Sequence, residues 1–343
     1  MEDQLSPEDR ATVRMVRGDL EGAIREFTAI LRRTPRSVAA LVNRGVAYFS
    51  QGKFQLALMD AERAIELQPG LAIPHLNAGN ALAQMGEFAK ALKFLERAVE
   101  LGPHEANAYD CRATVRQSLG DLEGAVGDLD RAIALNPGFV MAYSHRGNAK
   151  AARGDFEGAA QDHDEAVRRA PRNYEVLANR STARYAQGDL EGALRDGDAA
   201  IALAPNVGSL YSNRGSVKSK LGRAQEALTD YNRAIEIDPK CAAAYQNRGA
   251  LKHGLGDFEG AMADLDRSVE LAPDTINALF LRGTTLQVLA ARHKDALRFK
   301  RAVEDLERAL SLAASRKDWK LEQEARRRLD LARQAAAMFA RAN

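Results

Sequence analysis

A proline returns every 34 residues along most of this chain, at Pro35, Pro69, Pro103, Pro137, Pro171, Pro205, Pro239 and Pro273. Eight of the ten prolines stand on that one lattice, so the period belongs to the architecture. Proline cannot continue a helix and drives the residue before it toward extended geometry, so each one closes a unit. Inside a unit such as 208–241, apolar residues recur at spacings of three and four on either side of Leu221-Gly222. That pattern predicts helix, turn, helix, stop.

Other columns keep step. Glycine stands at Gly18, Gly52, Gly86, Gly120, Gly154, Gly188, Gly222 and Gly256, where the turn between helices uses its free backbone. Alanine stands at Ala23, Ala57, Ala91, Ala125, Ala159, Ala193, Ala227 and Ala261, where two helices must approach closely. Gly45, Gly79, Ala113, Gly147, Ser181, Gly215 and Gly249 are expected to face it. A 34-residue helical hairpin with small residues at these places resembles the tetratricopeptide repeat (TPR), over roughly residues 4 to 309. The resemblance implies an all-α, right-handed superhelical solenoid of helix-turn-helix repeats. The tryptophan position of that family is filled here by Leu41, His75, Tyr109, Tyr143, Leu177, Tyr211 and Tyr245.

Eight regular repeats run over 4–275, and an irregular ninth over 276–314 brings its alanine, Ala302, seven residues late. The surplus residues, LAARHKDALRFK, are expected to lengthen that hairpin or its helices. Residues 315–343 read as a separate C-terminal capping helix, opened by a capping box over Ser315–Asp318, with Trp319, Ala325, Leu329, Ala332 and Phe339 on one face. This segment carries eight Lys or Arg against four Asp or Glu, so an acidic partner at Arg326, Arg327 and Arg328 is the functional alternative.

Charge within the repeats follows its own grammar. Position 7 is Arg10, Arg44, Arg112, Arg146, Arg180, Arg214, Arg248 and Arg282. Position 23 is Glu26, Asp60, Asp128, Asp162, Asp196, Asp230, Asp264 and, after the shift, Asp305. The third repeat breaks both columns together, with Ala78 and Phe94, so the two positions are expected to pair within one repeat. Position 11 is often basic (Arg14, Arg116, Lys150, Arg184, Lys218, Lys252) and lies one turn further on, where it can share the carboxylate.

Positions 2, 6, 9 and 13 fall on the opposite side of the first helix, because residues step by about 100°. Over repeats two to eight, only Glu175 and Lys220 on that face are charged, in a chain that is 28% charged. Position 6 is Asn43, Asn77, Cys111, His145, Asn179, Asn213 and Asn247, and position 9 adds Asn80 and Asn148. Here the sequence resembles the asparagine ladder in the TPR domain of O-linked N-acetylglucosamine transferase, which implies a concave groove that holds a peptide by its backbone. An amide suits that task, offering both a donor and an acceptor. The alternative is that these amides bond to neighbouring helices or water. The transferase's catalytic region has no counterpart in this sequence. The lysine-and-arginine clamp of chaperone-tail receptors is not matched either, since Lys220 stands alone on the face.

No catalytic constellation, ligand-spaced histidine pair or cofactor motif is found, so the chain is expected to be no enzyme and to hold no metal or cofactor. His163, between Asp162 and Asp164, stands at a core-facing position and reads as a packed histidine. A net charge of +2 disfavours nucleic acid, no apolar run spans a bilayer, and two widely spaced cysteines suit a reducing, cytoplasmic setting. The acidic start, MEDQLSPEDR, has no secretory h-region. Three readings follow. The first is an adaptor holding an extended peptide or partner helix in its groove. The second is a structural subunit that packs against itself or a larger complex, and the third is a regulatory subunit of an enzyme whose chemistry lies elsewhere.

Overall fold

The computed structural model describes residues 6–315 and 319–342, with side chains described as far as residue 338. Every regular element among them is a helix. The contacts divide the chain into two compact units, Met1–Pro171 and Arg172–Asn343.

The first unit holds five hairpins: α1 (Pro7–Val16) with α2 (Leu20–Arg33), α3 (Val38–Ser50) with α4 (Phe54–Leu67), α5 (Ala72–Gln84) with α6 (Phe88–Leu101), α7 (Ala106–Ser118) with α8 (Leu122–Leu135), and α9 (Val140–Ala152) with α10 (Phe156–Arg169). The second holds α11 (Tyr174–Gln187) with α12 (Leu190–Leu203), α13 (Gly208–Lys220) with α14 (Ala224–Ile237), α15 (Ala242–Gly254) with α16 (Phe258–Leu271), and α17 (Ile276–His293) with α18 (Ala296–Ser315), followed by α19 (Trp319–Ala342).

Each regular hairpin turns through the expected glycine, whose φ lies between +73° at Gly52 and +88° at Gly154, a region that side chains disfavour. Five second helices then start on an aspartate cap: Asp19, Asp121, Asp155, Asp189 and Asp257 each accept from the backbone N–H three residues on. The alanine column is the packed centre, each member at most 3% exposed. In the ninth hairpin the surplus residues lengthen both helices, to 18 and 20 residues against 13 and 14 in the eighth.

Within each unit the first helices of successive repeats touch, α3 on α5 and α13 on α15 for example, while among the described residues no comparable contact joins one second helix to the next. The first-helix side is therefore the inner side of each unit's curve. In the second unit α19 packs along α18 and buries Ala325, Leu329 and Ala332. Trp319 departs from the expected face and is 68% exposed, because it begins the helix ahead of the packed turn. Residues 316–318 of the proposed capping box and the side chain of Phe339 lie outside the described residues.

Candidate partner-binding surface

The charged side of the first helices is closed by its own chemistry. Arg44, Arg112, Arg146, Arg180, Arg214, Arg248 and Arg282 each hold the carboxylate of their own hairpin through Nε and Nη2, as Arg214 holds Asp230 at 2.8 and 2.6 Å. Arg10 reaches Glu26 at 3.0 Å. The position-11 cations share the same carboxylates: Arg14, Arg116, Lys150, Arg184, Lys218 and Lys252 stand 2.8–2.9 Å from them. The aspartates are almost fully buried, and two cations on most of them compensate the carboxylate. The pairing also raises the affinity of Arg44, Arg112, Arg146, Arg214 and Arg282 for their protons, chiefly through the hydrogen bond to the aspartate.

Five of these arginines also reach back one repeat. Arg44 Nη1 donates to Thr28 Oγ1, Arg146 to Asp130, Arg214 to Asp198, Arg248 to Asn232 and Arg282 to Asp266, at 2.6–3.1 Å. Sequence reasoning missed this tie. Its signal was there: position 25 of each unit is Thr28, Glu62, Glu96, Asp130, Asp164, Asp198, Asn232 or Asp266, always an acceptor. Tyr109, Tyr143 and Tyr211 add a second fastening by donating to the carbonyl of the preceding unit's closing proline.

The opposite, inner face carries the amides. Asn43, Asn77, Asn80, Asn148 and Asn179 are half-buried, and Asn213 is exposed. Asn43, Asn77, Asn148 and Asn213 make no side-chain hydrogen bond among the described residues, and their amide atoms are not sealed from solvent. Asn80 bonds to the Cys111 thiol. Asn247 is engaged differently: its Nδ2 donates to Ser212 Oγ at 3.4 Å and Ser216 Oγ at 3.3 Å in the preceding repeat. His145, in the same column, sits 2.7 Å from Asp110 of the preceding repeat. At both places position 6 reaches back to position 5 of the repeat before it, and Asn247 reaches position 9 as well. Several hydroxyls of this face are spent locally: Ser50, Thr114, Thr182 and Ser216 each donate to the carbonyl four residues earlier. What remains on offer in each unit is a set of amides on a face that carries few charges, Glu175 and Lys220 over repeats two to eight.

Hollows open on that face, one of about 800 Å³ in the first unit including Ala39, Asn43 and Ile73. In the first unit a cavity of about 150 Å³ lies beside Asn77 and Asn80. In the second a shallower one of about 470 Å³ includes Tyr185, Ser216, Lys220, Tyr231 and Asn247. Glu175 accepts from Tyr174, whereas Lys220 makes no ion pair among the described residues. No cluster of three metal-ligating side chains occurs among the described residues, and none of their helices is long and apolar enough to cross a membrane. His163 is 1% exposed and packs against Gly147, where an added Cβ would sit 2.8 Å from its Nε2.

Known proteins extend the picture. One tetratricopeptide repeat family model matches residues 8–72, 111–164 and 145–207, and three further TPR models match 72–105, 219–256 and 242–275. Among solved structures, the hetero-tetramer of Cut9 and Hcn1 from the APC/C matches 78% of this chain at a TM-score of 0.61 and 15% identity. The chain spans about half, 52%, of that matched protein. A tetratricopeptide repeat protein from Parabacteroides merdae ATCC 43184 matches 73% of this chain and 99% of its own length, at 0.60 and 19%. A thermophilic TPR protein from Thermus thermophilus matches 52% of this chain and 98% of its own, at 0.50 and 23%. These likenesses are of fold. No curated protein matches in sequence. With family matches over most of residues 8–275 and nine helical hairpins among the described residues, the chain belongs to the tetratricopeptide repeat family, whose members serve in general as protein–protein interaction scaffolds.

Proposed function

We propose that this scaffold holds an extended segment of a partner protein along the inner, first-helix face of its repeats. One observation carries the reading: the first helices lock their charges into hairpin ion pairs on one side and leave Asn43, Asn77, Asn148 and Asn213 unbonded among the described residues on the other. An amide can pair with a backbone carbonyl or N–H whatever residue the partner places there, so a row of them grips an extended segment with modest sequence demand. Asn80 belongs with the amides of the first unit and Asn179 and Asn247 with those of the second, Asn247 acting through the carbonyl that its serine contacts leave free. We further infer a division into a repeat array over 4–314 and a cap over 315–343. The two free cysteines suit a reducing compartment such as the cytoplasm.

The test is quantitative affinity capture with the wild type and with Asn77→Ala/Asn148→Ala/Asn213→Ala. Partners held by the amide row should fall away from the triple variant. Capture that is unchanged rejects the groove. A second reading, self-association, is favoured by α19, whose outward side exposes Trp319, Leu331 and Met338. Light scattering decides it: a monomer over the micromolar range removes self-association from consideration.

A further inference from the structure

We propose that the small cavity between α3, α4 and α5 is a socket for one apolar side chain, of about leucine size, on the segment held by the inner face. The inference rests on the groove reading above and adds a sequence preference to it.

The cavity has a cause in the repeat pattern. Position 8 of each first helix faces position 24 across its hairpin. In most repeats a small residue meets a large one: a Cβ added at Gly79, Gly147, Gly215, Gly249 or Gly283 would stand only 2.6–2.9 Å from Leu95, His163, Tyr231, Leu265 or Leu306. The sixth repeat has Ser181 against Gly197, and there the serine hydroxyl donates to Ala193 O at 2.7 Å. The second repeat alone pairs a glycine with an alanine, Gly45 with Ala61. Nothing stands nearer than 3.5 Å to an added Cβ at Gly45. Beside this open glycine lies the cavity of about 150 Å³, lined by Gly45, Val46, Phe49, Ala57, Asn77 and Asn80, and we infer that the small residue at Ala61 leaves its room.

Its chemistry selects the occupant. Four of the six lining residues are apolar and none is charged, so a charged side chain would enter unpaired. A volume of about 150 Å³ is that of an apolar cavity known to admit benzene, so a leucine side chain fits it in size. Phe49 is braced by Phe54, edge to face at 5.3 Å, so the wall is pre-formed. At the mouth stand the two amides, one turn apart on α5. Asn77 is unbonded among the described residues, and Asn80 bonds to the Cys111 sulphur, an engagement that leaves the rest of its amide to a ligand. A residue inserted here would bury its side chain and meet amides on its backbone.

The probe is N-acetyl-L-leucine N-methylamide at millimolar concentration, followed through the methyl signals of Val46 and Ala57, with the glycine analogue as control. Saturable shifts are expected with leucine and none with glycine. Ala61→Leu rebuilds the Gly/Leu pairing of the third and eighth repeats, so it should fold while filling the socket and weakening the leucine response at least about tenfold. A leucine response unchanged in Ala61→Leu, or matched by glycine, overturns the socket. Decapeptides separate the two layers. If peptides bind wild type and Ala61→Leu with no preference for an apolar residue, the socket falls and the groove stands. If the leucine amide enters but no peptide binds, the groove falls and the socket stands as a site for a lone apolar group.

Discussion

Arg112 holds Asp128 by two parallel hydrogen bonds, Nε to Oδ2 at 2.9 Å and Nη2 to Oδ1 at 2.6 Å, across the helices of one hairpin. The aspartate is 4% exposed, so its charge depends on its partners. Arg112→Met should cost about 3 kcal/mol, the usual scale for leaving one side of a buried pair behind. Arg116, also bonded to Asp128, softens the loss. The triple change Arg112→Ala/Arg116→Leu/Asp128→Phe copies the third repeat and should recover most of it. Urea unfolding of the set checks this; a triple variant as unstable as the single one would show that the apolar solution of the third repeat does not transfer.

Two chemically identical substitutions should behave differently. At Gly79 an added Cβ would lie 2.6 Å from Leu95 Cγ, so Gly79→Ala should destabilise by about 1–3 kcal/mol through overpacking. At Gly45 the nearest atoms are 3.5 Å away, and Gly45→Ala should be neutral or gain from helix propensity, about 0.5–1 kcal/mol at most. Paired thermal melts decide, and equal effects would contradict the open packing beside Gly45.

Cys111 should be slow to react. Burial, helped by the neighbouring Asp110 charge, pushes its thiol up to about 12 from 9.0. The thiolate is the reactive form, so alkylation by iodoacetamide at pH 8 should run at least about tenfold slower than for an unfolded control. The sign for stability follows: the thiol form is favoured by folding, so this contribution is intact below pH 9 and fades as pH rises from 9 toward 12. Site-resolved mass spectrometry of the labelled protein reads the rate.

His253 should stay neutral further into acid than a free imidazole. Burial lowers its proton affinity first, and the charge of Arg328 on α19 adds to it. Its Nδ1 lies 2.8 Å from Thr285 Oγ1, whose own proton goes to Leu281 O, so the imidazole nitrogen is the donor. A depressed value means that the stability is present above the ordinary 6.5 and is lost as pH falls below it. His253→Asn should remove that acid-side loss. An NMR titration showing His253 protonating at or above the ordinary value would refute the prediction.

The hairpins were legible because proline, glycine and alanine each answer a local demand at a fixed place. The Arg–carboxylate pairs were legible because Ala78 and Phe94 lose both charges together. The tie from Arg146 to Asp130 was not read, since an acceptor column of mixed residue types looks like ordinary polar surface. The exposure of Trp319 is not legible in the sequence, because helical period alone cannot say which turn first meets a neighbour. The serine contacts of Asn247 were beyond reach for a like reason: they depend on how far one first helix stands from the next. The cavity beside Gly45 was in the sequence as Gly45 with Ala61, but a pair of small residues does not say whether the helices close over it.

The position-7 arginine column has one gap. The third repeat offers Ala78, which has no guanidinium to cross to Glu62, and that joint relies on apolar contacts such as Leu58, Leu82 and Leu95. Rising ionic strength should therefore loosen the joints where an arginine meets the previous repeat's carboxylate, as Arg146 meets Asp130, and spare this one, which makes brine the reagent that would single out a salt-proof coupling.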